Sequence, residues 1–462
     1  MSDGSPGGVD VCKLIDDQPI GVFRFRAMLL CALVALLDGF DTQLIAFVAP
    51  AIAMEWGFGV GEFGPVFGAG LLGLMVGALV FGPVADRVGR KGVIVYACAW
   101  FGVMSLATTT ATSLNEILIY RFLTGVGLGA AMPNIIALTA EYAPRRSCTT
   151  LVTLMFCGFP LGAVLGGLAS AKLIPLYGWQ AVFLLGGLLP LILVPVLVVW
   201  LPESIRYLVA KDAHSPRVAE VCRRLDPAGA YRAEQRYFIL EDRLPGMPIK
   251  HLFLDGRTLG TLAIWAVFFS NLLLLYFLVN WLPSVLQRAG FPLSVAIIGV
   301  VVLNAGGIVG GLVQGRIIDR LGPYAVLFIS YLAAAALVAM IGLSGLGRPV
   351  LMAIILAAGF CVLGSQLGLN ALAANYYPTS IRATGVGWAL GIGRIGSILG
   401  PLVGGMVMSR EWPIDQIFMA CAIPALLSAA GVFLIGALAR RDRHERESRD
   451  PDRPVVRIRV AD

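Results

Sequence analysis

Four charged side chains fall inside stretches otherwise too apolar for water: Asp38 and Asp41 within residues 27–49, Arg121 within 116–138 and Arg394 within 384–407. An ionised side chain at the centre of a membrane helix costs about 2.5–3.5 kcal/mol to insert, so its presence points to function. Asp38 and Asp41 are three residues apart and share one helix face. In a helix starting near residue 27 they lie roughly 16 and 21 Å along its axis. Uncompensated, the two would cost roughly 5–7 kcal/mol, so each must be protonated, paired or hydrated. Burial and a neighbouring arginine act in opposite directions on a carboxylate's hold on its proton. An aspartate caught between them can carry that proton. Arg121 lies about one turn into its helix, near the level of Asp41, so the two can pair; the competing readings are a fixed structural ion pair and an arginine that reaches out to water. Arg394 sits near the middle of its helix, where a guanidinium can grip a carboxylate through two parallel hydrogen bonds or serve as a partner for Asp38 alone. Uncharged polar candidates are Asn134, Asn271, Tyr276, Asn280, Asn304, Gln366 and Asn370, which either line a polar cavity or join helices by hydrogen bonds.

The elements that hold these residues follow from composition. Of 462 residues, 58% are hydrophobic and 14% charged, whereas soluble domains run near 45–50% and 25%. Such a chain needs the bilayer as its solvent. A span requires about 20 apolar residues, and twelve candidates meet that length: 27–49, 62–82, 93–112, 116–138, 150–171, 179–200, 259–281, 294–314, 324–344, 350–374, 384–407 and 415–438. The expected fold class is therefore an all-α membrane protein. Of its 35 lysines and arginines, Lys172, Arg288, Arg348 and Arg410 fall on one side, Arg121 and Arg394 within spans, and the rest on the other side. By the positive-inside rule that second side is cytoplasmic, and both termini and the 201–258 linker lie there. The first apolar run is long enough to span and stay, so no cleaved leader is expected. The net charge of +7 and the basic tail need an anionic lipid surface and no nucleic acid. The eight cysteines show no paired spacing, and none is expected in an outer loop, so structural disulfides are not expected.

The chain is also internally duplicated. Gly82-Pro-Val-Ala-Asp86-Arg87-Val-Gly89 follows span 2, and Gly315-Arg-Ile-Ile-Asp319-Arg320-Leu-Gly322 follows span 8. Glu141-Tyr-Ala-Pro144 and Asn375-Tyr-Tyr-Pro378 recur at nearly the same offset before spans 5 and 11. This predicts parallel halves, 27–200 and 259–438, flanked by a 1–26 segment, the 201–258 linker and the 439–462 tail. Carriers built this way hold substrate near the midplane and rock one half against the other. Asp86, Arg87, Arg90, Lys91, Glu141, Asp319 and Arg320, with Gly82 and Gly89 at the turns, are candidate gate parts; Asp86 could accept from a helix N-terminus or a basic partner. Gly158, Gly162, Gly166 and Gly396, Gly400, Gly404 recur every four residues, a spacing that lets helices approach closely.

The repeated G-x-x-x-D-R-x-G, extended by Arg90-Lys91 in its first copy, resembles the signature of the major facilitator superfamily. Pro323 and Tyr324 replace the basic pair in the second copy, so a weaker gate is expected there. Tyr120-Arg121-Phe-Leu-Thr-Gly125-Val-Gly127-Leu-Gly129 resembles a signature of its proton-coupled members. Asp38-Gly-Phe-Asp41, Leu154-Met-Phe-Cys157-Gly-Phe-Pro160-Leu-Gly162 and Arg382-Ala-Thr-Gly-Val-Gly-Trp388 through Arg394 are similar to motifs of the aromatic acid:proton symporters. That resemblance implies a bacterial inner-membrane carrier that imports benzoate-like or hydroxybenzoate-like anions with protons. Arg394 would bind the carboxylate and Asp38, Asp41 and Arg121 would couple the proton.

No phosphate-binding G-x-x-x-x-G-K-[ST] loop and no metal-ligand spacing occur in the sequence, so neither ATP nor a cofactor is expected. His214, His251 and His444 lie outside the spans, which leaves intramembrane proton transfer to the aspartates. The expected partners are a small aromatic carboxylate, protons and lipid, with no obligate protein partner. Carriers of other small organic acids, exporters and a membrane-bound sensor of aromatic acids remain alternatives. An enzyme is disfavoured because no catalytic constellation is visible.

Overall fold

The computed structural model describes residues 8–449 except 228, 233–234, 240–247, 255, 344–346 and 378–380. Pro378 of the duplicated motif and the tail beyond 449 lie outside the described residues. Twelve helices are long and apolar enough to cross a bilayer. Spans 1–6 are Val22–Trp56, Val60–Val88, Arg90–Thr108, Leu114–Tyr142, Thr150–Tyr177 and Gln180–Trp200. Spans 7–12 are Thr258–Arg288, Leu293–Leu321, Pro323–Ile341, Arg348–Tyr376, Thr384–Ser409 and Ile414–Arg441. Several outrun the apolar stretches by a turn or two, because a helix continues past the hydrocarbon wherever its polar ends reach water or cover. Internal prolines such as Pro50, Pro133 and Pro283 are accommodated because neighbouring helices re-satisfy the freed backbone groups.

The packing repeats between two six-helix halves. Span 1 packs on 5, 2 on 4 and 3 on 6 in the first half; 7 packs on 11, 8 on 10 and 9 on 12 in the second. Across the seam, span 5 meets span 8 and span 2 meets span 11, which are equivalent pairs, and span 1 meets span 7. Small residues permit these approaches: a methyl group at Gly162 would strike the backbone of Leu36, and one at Gly396 that of Phe269. The turns after spans 2 and 8 are duplicated in conformation as well. Gly89 (φ 102°) and Gly322 (φ 80°) both take left-handed backbone, which glycine adopts without a Cβ penalty.

The first half carries a cover on the face from which the 201–258 segment emerges, here termed the linker face. Short helices Val11–Asp17, Ile205–Lys211 and Pro216–Leu225 bury Val11, Leu14, Val218 and Cys222 against the spans. A two-residue parallel pairing, Val9–Asp10 with Tyr237–Phe238, ties the ends of this cover together. Arg24, 1% exposed, donates to the carbonyls of Ile15 and Gln18 and so anchors the cover to span 1.

Candidate functional site

A cavity of about 220 Å³ lies between the halves, lined by Asp38, Thr153, Pro160, Asn304, Gln366 and Arg394 among others. Its walls are mainly apolar, with Leu the commonest residue. The lining extends toward the linker face through Thr153 near the start of span 5 and Asn370 near the end of span 10. Toward the opposite face the seam is packed shut: Phe67 meets Trp281 edge to face at 5.1 Å, and the Trp281 indole donates to the Pro401 carbonyl at 3.0 Å.

Span 5 is broken where it borders the cavity. Its helix stops at Phe156 and resumes at Gly158. Pro160 supplies the cause, since it lacks an N–H and its ring crowds the carbonyl four residues back, that of Phe156. Phe156, Cys157, Phe159 and Pro160 all face the cavity as a result. Arg394, the duplicate of Pro160, lines it from the other half. One copy of the repeat bends a helix at this level and the other presents a cation.

The two aspartates have unlike surroundings. Asp41 is fully buried. One carboxylate oxygen accepts from Arg121 at 2.9 Å and the other from Ser105 Oγ at 2.8 Å. Arg121 also donates to the Asp41 carbonyl at 3.1 Å, and its guanidinium carbon lies 5.8 Å from the Phe183 ring centre. Arg121 is 3% exposed, so it does not reach out to water. Asp38, 1% exposed, accepts from Thr42 Oγ1 at 3.1 Å, while its second oxygen has no partner among the described residues. Arg394 is half-buried. Its guanidinium makes no hydrogen bond or ion pair among the described residues, although it lies near enough to Asp38 for the two charges to act on each other. The cavity thus combines a cation and a carboxylate oxygen that no hydrogen bond of the described residues engages.

The uncharged candidates divide. Tyr276, Asn304, Gln366 and Asn370 line the cavity. Asn271 does not, but donates to Gln366 at 2.6 Å. Asn280 lines an adjacent void of about 20 Å³, with Arg121 and Tyr276. Asn134 lines neither space; its amide donates to its own helix at Ala130 O, 2.8 Å, a bond to the carbonyl four residues back that Asn280 and Asn304 also make. Sequence reasoning passed over Gln43, which lines both the cavity and the void. The signal was an amide two residues past Asp41 in an otherwise apolar stretch. No group of His, Cys, Asp and Glu among the described residues could hold a metal.

With this arrangement in view, comparison with known proteins is decisive. The sequence model of the Major Facilitator Superfamily matches residues 31–389 and, in a second match, 346–461. The chain belongs to the Major Facilitator Superfamily. It is 42% identical over 436 residues to the 4-hydroxybenzoate transporter PcaK of Pseudomonas aeruginosa, covering 94% of this chain and 97% of that one. It is 41% identical to the gallate transporter of Pseudomonas putida, covering 93% and 95%. These similarities place it among the superfamily's aromatic acid transporters. A bacterial homologue of the human lysosomal transporter Spinster, in an inward-facing and occupied conformation, matches with a TM-score of 0.71 at 17% identity, covering 91% and 98%; at that identity the likeness concerns the fold.

The superfamily signature after span 2 forms a charge network on the linker face, in which Asp86 takes the basic partner and not the helix N-terminus of the two expected for it. Glu203, and not Asp86, occupies the N-terminus of span 3: its carboxylate accepts from the backbone N–H groups of Arg90 and Lys91 at 2.8 and 3.0 Å. The linker brings Glu203 there through Ser204, which caps the next short helix. Asp86 has a side chain 70% exposed and reaches Arg90 at 3.5 Å. Arg90 also pairs with buried Glu141 at 3.2 Å, and Ser204 Oγ donates to Glu141 at 2.6 Å. Arg87 is exposed. Asp319 and Arg320 are exposed too and form no ion pair among the described residues. Gly82 has open space around it. Among the described residues the network therefore joins span 2, span 3, span 4 and the start of the linker.

Proposed function

We propose that this protein is a proton-coupled symporter that imports a single-ring aromatic carboxylate by alternating access. The observation that carries the reading is the unpaired Arg394 guanidinium sharing a mainly apolar cavity with buried, half-satisfied Asp38. A benzoate-like anion has the matching chemistry, with a carboxylate for the guanidinium and a ring for the Leu, Val and Phe walls. The cavity, about 220 Å³, has room for a single-ring acid. The names of the relatives, a 4-hydroxybenzoate and a gallate transporter, agree with that substrate class.

In this reading the linker face is cytoplasmic, in line with the distribution of Lys and Arg, and the conformation is the inward-facing one. Asp38 is the proton site. A proton on Asp38 and an anion on Arg394 leave no uncompensated charge, and the halves can then rock past each other. Asp41 and Arg121 form a neutral pair that braces spans 1 and 4 through the cycle. The charge network around Arg90 holds the linker face of the first half as one body.

The test is uptake of radiolabelled 4-hydroxybenzoate and benzoate into liposomes with an alkaline interior. Accumulation that an uncoupler abolishes, and that Arg394→Ala and Asp38→Asn both remove, is the expected result. Accumulation in Arg394→Ala equal to wild type would discard the site. Binding without accumulation would instead favour a sensor of aromatic acids.

A further inference from the structure

Gln43 is 3% exposed, and its side-chain oxygen has no hydrogen-bond partner among the described residues. It lines the cavity that Arg394 and Asp38 also line, and it separates that cavity from the void beside Arg121. A buried amide left unpaired costs about 1–3 kcal/mol. A chain that needed only apolar contact with a ring could place leucine or methionine here at no such cost. The void offers space for about one water, enough to answer one polar group of the amide and not both. Near the cavity, Asn370 carries a second unpaired amide oxygen, and the Tyr276 hydroxyl makes no hydrogen bond among the described residues. Besides Arg394, then, the mainly apolar pocket offers acceptors that no described residue engages.

We infer that Gln43 is a specificity-determining residue that accepts a hydrogen bond from a ring hydroxyl of the substrate, so that the transporter prefers hydroxylated aromatic acids to benzoate. The inference rests on the functional reading above and deepens it. A site built to hydrogen-bond a hydroxyl rejects the analogue that lacks it, because its own polar group is then stranded. An amide has both an acceptor and donors, so either of its two orientations can serve a hydroxyl.

The experiment is competition against uptake of radiolabelled 4-hydroxybenzoate in proteoliposomes. The competitors are benzoate, 3- and 4-hydroxybenzoate, and the methyl ethers of the two hydroxy acids. In wild type the stronger hydroxy acid should compete about tenfold better than benzoate and than its own ether. In Gln43→Met, which keeps the length and flexibility of the side chain, the advantage over benzoate should vanish, with benzoate competing better than before because no amide is left to strand. An unchanged advantage in Gln43→Met overturns the inference. So does equal competition by hydroxy acid, ether and benzoate in wild type, a comparison that decides the matter even if the variant fails to fold. If wild type takes up 4-hydroxybenzoate with equal competition throughout, Gln43 alone is refuted; if it takes up none of these acids, the functional reading fails and this inference with it.

Discussion

At the scale of residues, the distinction that matters is between charges whose partners are built in and charges whose partners must arrive. Asp41 and Arg121 belong to the first kind. Removing one member of a buried pair strands the other at a cost of about 3–5 kcal/mol. Asp41→Asn or Arg121→Met should therefore lower the thermal midpoint of the purified protein markedly. The double variant should recover part of that loss, which a double-mutant cycle on unfolding would show. Arg394 belongs to the second kind. With no hydrogen bond or ion pair to break, Arg394→Ala should leave the midpoint within a few degrees of wild type. It should abolish uptake, since truncating one side of a buried, hydrogen-bonded charge pair costs about 2–5 kcal/mol. Arg394→Lys should restore uptake in part, because an ammonium keeps the charge but loses the planar fork. A destabilised Arg394→Ala would mean that Arg394 braces the fold.

At the scale of elements, the seam opposite the linker face depends on backbone contact. Gly61 and Gly64 at the start of span 2 lie against Gly405 of span 11, and a methyl group on Gly405 would come within 2.9 Å of the Gly64 Cα. Backbone cannot yield as a flexible side chain does, so Gly405→Val should force the two spans apart. We expect this variant to favour the conformation open at that face. Spin labels at Glu62 and Glu411, both exposed beside the seam, would report a longer distance in Gly405→Val than in the parent. An unchanged distance would show that closure there tolerates side chains. The break in span 5 has an equally local origin in Pro160, and it brings Phe156 and Phe159 to the cavity.

At the scale of the whole molecule, the two halves repeat one helix arrangement, and the difference between them lies in what each copy presents at the midplane. One proton site implies one proton per monoanion, which moves no net charge. Accumulation should then follow the pH gradient and ignore a potential imposed by potassium and valinomycin. Two protons would add about 2.3 kcal/mol per 100 mV, close to a 50-fold rise in accumulation, and would return Asp41 to the coupling machinery.

Much of this was legible in the sequence because it depends on local properties. Apolar length marked twelve spans, and the recurrence of the Gly82 and Gly315 motifs marked the duplication. The level of Arg121 in span 4 placed it opposite Asp41. What hydropathy and spacing could not resolve was rotation and reach. Asn134 and Asn304 read alike along the chain, and both donate to their own helix, yet only Asn304 also lines the cavity. Asp86 stood beside a helix N-terminus in sequence, but Glu203, more than a hundred residues away, fills it because the linker folds back over span 3. The sequence by itself determined the solvent, the number of crossings, the symmetry and the superfamily. Only the tertiary structure decided which aspartate is committed to an ion pair and which shares a cavity with Arg394, because that depends on how kinked, rotated helices from two halves meet.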